Sequence, residues 1–378
     1  MKYNFYTDLF EKNSIPDVYV SINQKKTTSL KIINTLNHKI KSFELVPNYL
    51  VINTKKNLIN NKIFQKKGYA INLDSSANVE HYIKSQLNKS ARKNFIRSLN
   101  RLESCFNIKY KVFYGHITNE DYQYYMEVFY KMLHTRFQQR NDRNLVLENW
   151  NYYLETIFDL LNKKKASFFL ITNNSGVIAF SINYHFDNIC YSSIASFDSN
   201  YYKFSLGNTI IYKLSEWCIV NNLKTLDLGY GDFTHKRLWC NTTYAFENHI
   251  VYSPNNYIAI AYAIYIKNKY KVINYLISKN INVFYNKIKS FFIGKKMQDA
   301  KSLIFNIETT QLSFFDFNNL IIVDFNQDQY SFLKKTIYDF LYTKQEHISD
   351  VSAYKTQEKP SVFFIKGKLN HIKIEIVN

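Results

Sequence analysis

The stretch that most constrains the fold runs from Ser167 to Leu228. Ser167 to Thr172 is an apolar run of strand composition. Asn173-Asn174-Ser175-Gly176 comes next with turn chemistry, the glycine supplying a positive φ. Val177 to Phe186 reads as a second strand, Asp187-Asn188 as a second turn, and Ile189 to Phe197 as a third strand. A loop from Asp198 to Gly207 leads into a helix from Asn208 to Asn221, with Ile210, Ile211, Leu214, Trp217 and Cys218 on its apolar side. Strand Leu223 to Leu228 closes the block. The order is β-β-β-α-β, an antiparallel meander and then a right-handed crossover to a parallel strand. An all-helical chain or a pure sandwich is incompatible with that order.

The residues beyond the last strand are chemically dense. The chain breaks at Gly229 and Gly231, although it contains only 8 glycines. Glycine suits positions where the backbone needs positive φ or must let a ligand approach. Asp232, His235, Lys236 and Arg237 come directly after, where a strand gives way to a loop, a common place for a site. Gly207-Asn208-Thr209 marks a second place of interest. It lies where the crossover helix starts, so unpaired N–H groups and the positive end of the helix dipole favour an anion there.

The flanking sequence reads less sharply. Residues 1–78 alternate short apolar runs with Asn/Lys-rich turns, consistent with a small α/β unit. Residues 83–103 predict one helix with Leu87, Ala91, Phe95, Leu99 and Leu102 on one side and Lys89, Lys93, Arg97 and Arg101 opposite. Residues 119–162 predict two helices, the first ending near Arg140. The second repeats Trp150, Tyr153, Leu154, Ile157, Phe158 and Leu161 at core spacing. A long amphipathic helical region is expected from Tyr257 to Phe292, with Ile266, Tyr270, Ile273, Ile277, Phe284, Ile288 and Phe291 on one face and lysines on the other. Residues 301–378 read as a further α/β unit, with strands at Leu320–Val323, Val362–Ile365 and Ile372–Val377 and a helix at Tyr330–Tyr342.

Charge sharpens the choice of partner. The net charge is +19. Residues 84–111 carry eight Lys/Arg against Glu103, and residues 262–296 carry eight Lys and no acid. Concentrated positive charge implies an anionic partner: a phosphate-rich cofactor, nucleic acid or a lipid surface. Four cysteines without C-x-x-C spacing indicate unpaired thiols in a reducing compartment. The first residues lack the apolar core of a signal peptide. The uncharged run Tyr257–Ile266 is about half a membrane span. The location expected is cytoplasmic, with the inner face of the membrane as a peripheral site.

Four segments together resemble the GNAT-type acyltransferases of the FemAB and CelD kind. Asp227, Gly229, Gly231, Asp232, Lys236 and Trp239 match that family's Asp-Phe-Gly-x-Gly-Asp pattern with a following Lys and aromatic residue. Ser90, Arg92, Lys93, Arg97, Leu102 and Glu103 match its basic helix. Leu133-His134-Thr135-Arg136-Phe137 is similar to its Leu-His-x-Arg-Trp segment, and Tyr202 to Gly207 to its approach to the crossover helix. The matches span residues 85–252. Two departures, Tyr230 where the family has Arg and His235 where it has Tyr, bear on the choice of substrate.

The resemblance implies an α/β (α+β) fold: tandem GNAT-like mixed sheets flanked by helices, with a small extra C-terminal α/β unit. The expected organisation is an N-terminal half over 1–110, a catalytic half over 111–255, a basic helical region over 256–298 and a C-terminal unit over 299–378. It also implies transfer of an acyl group from an acyl-CoA (acetyl-CoA) or acyl carrier protein to an amine or hydroxyl, with a sugar or cell-envelope polysaccharide precursor as acceptor and no metal. Gly207, Asn208, Thr209 and Phe204 would bind the donor. Asp232, His235 and His134 are candidate bases. Lys236, Arg136, Arg92, Arg237 and Trp239 would contact substrate. Two alternatives are an aminoacyl-tRNA-dependent transferase building peptidoglycan precursor, and a non-catalytic protein of nucleic-acid or membrane surfaces.

Overall fold

The computed structural model describes residues 2–26, 30–35, 40–140, 145–279, 304–310 and 320–377. The first part of the chain holds β1 (Lys2–Asn4), α1 (Phe5–Phe10), β2 (Ser14–Pro16), β3 (Tyr19–Ile22), β4 (Lys25–Lys26), β5 (Lys31–Ile33), β6 (Ile40–Pro47), β7 (Ile52–Thr54) and β8 (Ile59–Asn72). Next come α2 (Val79–Gln86), α3 (Lys89–Cys105), β9 (Lys109–Phe113), α4 (Asn119–Arg140), α5 (Leu145–Glu148) and α6 (Trp150–Asn162). The meander and crossover are β10 (Ala166–Asn173), β11 (Gly176–Phe186), β12 (Ile189–Phe197), α7 (Leu206–Val220) and β13 (Thr225–Tyr230). Then come α8 (Thr234–Trp239), β14 (Thr242–Tyr252) and α9 (Tyr257–Ser278).

Nine strands form one sheet in the order β1-β6-β14-β8-β13-β12-β11-β10-β9. The expected mixed α/β architecture is therefore present, with its two strand sets joined edge to edge. The seam is the antiparallel pairing of β8 with β13. β14 lies between β6 and β8, so a strand late in the chain completes the N-terminal set. The β-β-β-α-β reading holds: β10–β11 and β11–β12 are antiparallel, and β12–β13 is parallel.

Period-two alternation sends successive side chains to opposite faces. On β10, Phe169 and Ile171 join the core under α2, α3 and α7, whereas Phe168 and Leu170 join the core under α1, α4 and α6. Burying an apolar side chain in this way contributes roughly 1.5–3 kcal/mol.

The helix expected over 83–103 is two helices. Asn88 interrupts it, its side-chain oxygen accepting from the N–H of Ala91 at 2.8 Å and capping α3. An Asn at this position satisfies one donor that the helix start would otherwise leave open. The basic and apolar sides of α3 lie as expected, with Phe95, Leu99 and Leu102 buried.

The C-terminal unit contains β15 (Ile304–Thr310), β16 (Leu320–Val323), α10 (Lys334–Lys344), β17 (Ser352–Thr356), β18 (Val362–Lys366) and β19 (His371–Val377). Its antiparallel order is β15-β19-β18-β17-β16. β15 and β17 are not evident from the sequence. The unit shares a core with the main sheet: Tyr338 of α10 packs against Phe106 and Tyr201, with ring centroids 5.2 and 4.5 Å away. The part of the long helix expected beyond residue 279, including Phe284, Ile288 and Phe291, lies outside the described residues.

Candidate active site

Two glycines, Gly229 within the end of β13 and Gly231 just past it, let the backbone turn. Gly229 has φ 69° and Gly231 φ 100°. A Cβ on Gly231 would lie 2.7 Å from the Phe233 ring. The parallel pairing of β12 with β13 covers Ile189–Thr225, Cys190–Leu226 and Tyr191–Asp227. On its other side β12 carries an irregularity, since Ile182 pairs with Ile194 but Asn183 with Ser192. Past Tyr191 and Asp227 a cavity of about 540 Å³ lies between these strands. Ser192, Ser193, Ala195 and Phe197 of β12 line it on one side and Leu228 of β13 on the other. Ser205 to Asn208, at the start of α7, supply a further wall, with Ile210 and Ile211. Phe233, after β13, and His235 and Lys236 of α8 also line it, as do Arg136 of α4 and Tyr202.

The helix wall has an open end. Ser205, the residue preceding α7, sits at φ 55° and makes no side-chain cap. A Cβ on Gly207 would meet the Phe197 ring at 3.1 Å, so glycine lets helix and β12 pack closely. Asn208 is held by Trp239, whose indole N–H donates to its Oδ1 at 2.9 Å.

Lys236 is 8% exposed, and its ammonium donates to the carbonyls of Leu228 at 2.5 Å and Tyr230 at 2.6 Å. It therefore clamps the glycine turn as well as lining the cavity. Burial pulls this ammonium below the usual lysine range, while the Asp227 carboxylate opposes the shift. His235 stacks on Phe233, centroids 5.7 Å apart at 9°. His235 is exposed at the cavity mouth, but partial desolvation of its imidazole, with the Lys236 charge beside it, holds the ring below its ordinary value and favours the neutral form at pH 7. The Arg136 guanidinium lies 3.9 Å above the Phe197 ring. The lining holds two cationic side chains and, among the described residues, no carboxylate.

Of the residues singled out in the sequence, the cavity collects Gly207, Asn208, Arg136, His235 and Lys236. The others stand elsewhere. Asp232 and Arg237 pair with each other at 3.0 Å, both exposed, and Asp232 also accepts from the Tyr69 hydroxyl at 2.5 Å. That phenol, assisted by Arg237, holds the Asp232 carboxyl below its usual range. His134 is on the exposed side of α4, stacked on Tyr130 at 6.0 Å. Arg92 is half-buried on α3 and donates to the carbonyl of Lys84 at 3.1 Å. Trp239, Phe204 and Thr209 are fully buried. Trp239 meets Phe95 edge-on at 5.1 Å, and Phe204 packs between Phe106 and Tyr342.

Sequence reasoning missed two parts of the site. Ser192 and Ser193 form a polar pair inside an apolar strand, and that pair was the available signal. The other is a buried cage behind the cavity. Asp227, 0% exposed, accepts from the hydroxyls of Tyr6 and Tyr49 at 2.6 Å each, from that of Tyr244 at 2.7 Å and from the N–H of Gly229 at 2.7 Å. Burial pushes its carboxyl up, and these donors pull against that shift. An acid alone among apolar neighbours in TLDLGY was its signal.

Residues 89–237 match the family model described as an acetyltransferase (GNAT) domain. That stretch is thus similar to GNAT-type acetyltransferase domains. It contains α3, the meander, α7, β13 and every cavity residue named above. No curated protein matches the chain. Similar solved structures include a conserved protein of unknown function from Bacteroides thetaiotaomicron, at 12% identity and a TM-score of 0.36, over 52% of this chain and 62% of that one. FemX is similar at 10% identity and a TM-score of 0.41, over 61% of this chain and 74% of that one. L-PGS from Bacillus licheniformis is similar at 9% identity and a TM-score of 0.35, over 61% and 72%.

Proposed function

We propose that the protein transfers an acyl group from an acyl-CoA, or from an acyl carrier protein, to an amine or hydroxyl of a sugar or cell-envelope polysaccharide precursor. One observation carries this reading. An uncapped helix start, a parting pair of strands, two cations and a neutral imidazole line one cavity inside the GNAT-type segment.

Bound acyl-CoA supplies the activated acyl carbon and a thiolate leaving group. The chain's own residues do the remaining work. The first N–H groups of α7, near Gly207, and the dipole behind them attract phosphates, and Arg136 and Lys236 add positive charge. His235 accepts the proton that the acceptor amine or hydroxyl loses as its bond to the acyl carbon forms. His235 is favoured over Asp232 because it lines the cavity and its imidazole is unprotonated at pH 7, whereas Asp232 is engaged by Tyr69 and Arg237.

The test is a thermal-shift series with acyl-CoAs of different chain length and with acylated carrier proteins. A ligand that binds only the folded state raises Tm with concentration. At least one thioester should do so, and the matching acylated product should appear on addition of amino-sugar or hydroxyl acceptors. No shift with any member of the panel would remove the donor and the reading with it.

A further inference from the structure

Among the described residues, α9 is held by one side only. Ala259, Ala263 and Ile266 are buried against Ile63 of β8 and Ile250 and Tyr252 of β14. Along the same side, the Gln65 amide donates to the Tyr270 hydroxyl at 2.7 Å. At 100° per residue, the side turned directly away from this contact carries, around the exposed Asn268, the apolar residues Ile264, Tyr265, Val272 and Tyr275. These four are 54%, 60%, 57% and 61% exposed. A helix lying on a globular surface ordinarily presents polar residues there. Lys267, Lys269 and Lys271 are exposed beside this stripe, Lys267 and Lys271 on one flank and Lys269 on the other. No Asp or Glu occurs from Tyr257 to Lys279.

We propose that the outward face of α9 docks on an anionic lipid surface. Charge complementarity selects this occupant. An apolar stripe edged on both sides by lysines matches acyl chains lying beneath negative headgroups. A second copy of the chain is disfavoured, because a two-fold contact through this stripe brings lysines against lysines. Tyrosine, with an apolar ring and a polar tip, suits the boundary between lipid and water. Among the described residues no helix is long and apolar enough to cross a membrane, so α9 lies along the surface. This inference is independent of the acyl-transfer reading.

The test is co-sedimentation of the full chain with phosphatidylcholine vesicles, with and without phosphatidylglycerol. The protein should pellet with the anionic vesicles and not with the neutral ones, and added salt should release it. Tyr265→Glu with Val272→Glu should abolish pelleting. Lys267→Gln, Lys269→Gln and Lys271→Gln together should weaken it on the order of a hundredfold, about fivefold for each lysine near the surface. All these positions are exposed, so the melting temperature should hold. If the paired glutamates disturb the fold, Tyr275→Ser alone reads the same face. Failure of the wild type to pellet with anionic vesicles at low salt overturns the proposal, as does wild-type pelleting by both sets of variants. A dimer in solution that Tyr265→Glu with Val272→Glu dissociates assigns the face to a second copy and overturns it too. So does binding of duplex RNA that depends on the lysines but not on the apolar residues, in the absence of vesicle binding.

Discussion

Asp227 and Leu228 are neighbours on β13, yet they face two different environments. On the Asp227 side the sheet is sealed: a buried carboxylate is shared by three phenols and a backbone N–H. On the Leu228 side it opens into the cavity with Ser192, Ser193, His235 and Lys236. The two sides depend on each other. A strand that parts from its neighbour loses ladder hydrogen bonds, and something else must hold its direction. The cage fixes β13 to α1, to the segment between β6 and β7, and to β14. Lys236 holds the next three residues by two carbonyls. The rigid side therefore sets the geometry of the open side, and substitutions should separate the two roles.

The largest effect is expected from the sealed side. Asp227→Ala leaves three buried hydroxyls and one N–H without an acceptor, each an unpaired polar group in the core. A loss of roughly 3–5 kcal/mol is expected, read as a lower urea midpoint with an unchanged m-value. A loss under about 1 kcal/mol would show that the cage does not hold the strand. Asp227→Asn keeps an acceptor in place and should fall between the two.

On the open side, His235→Gln should leave the urea midpoint alone and reduce kcat by about 10²-fold or more. The pH profile sharpens this expectation. Because the imidazole is held below its ordinary value, wild-type activity should persist below pH 6.5 and fall only in more acidic solution, as the ring takes up its proton. The Gln variant should lack that acid limb. An acid limb that persists in the Gln variant would mean that another group titrates.

Gly207→Asp tests the helix start. A side chain there meets Phe197, and its negative charge stands where an anionic donor is expected. Acyl-CoA affinity should weaken about tenfold, equivalent to ~1.4 kcal/mol, measured by calorimetry. Unchanged affinity in a folded variant would move the donor away from α7.

The contrast between the two sides also explains what could be read from the sequence. The β-β-β-α-β block was legible because its strands are short apolar runs between turn residues, and α7 shows helical spacing. The glycine break was legible because glycine is rare in this chain. The features that the sequence hid depend on distant partners. Nothing near Asp227 announces Tyr6, Tyr49 or Tyr244, which come from three other elements. Trp239 reads as a substrate contact until Phe95 and Asn208 are seen packed around it. The single nine-stranded sheet was equally hidden, because β14 joins β6 and β8 across nearly 200 residues.

The smallest effect is expected at Asp232, five residues beyond Asp227 and its opposite in environment. Its side chain is exposed, with Tyr69 and Arg237 as partners, and it is absent from the cavity lining. A carboxylate held below its usual range is a weak base at neutral pH, and an exposed ion pair adds little to stability. Asp232→Asn should therefore leave kcat within about twofold of wild type and change KM for the donor no more than that. Measured beside His235→Gln on the same acceptor, it decides where the proton goes. If Asp232→Asn instead lowers kcat by about 10²-fold while His235→Gln does not, the base stands at the rim. The open side of β13 would then serve to hold the donor, and the chemistry would belong to the loop that the two glycines release.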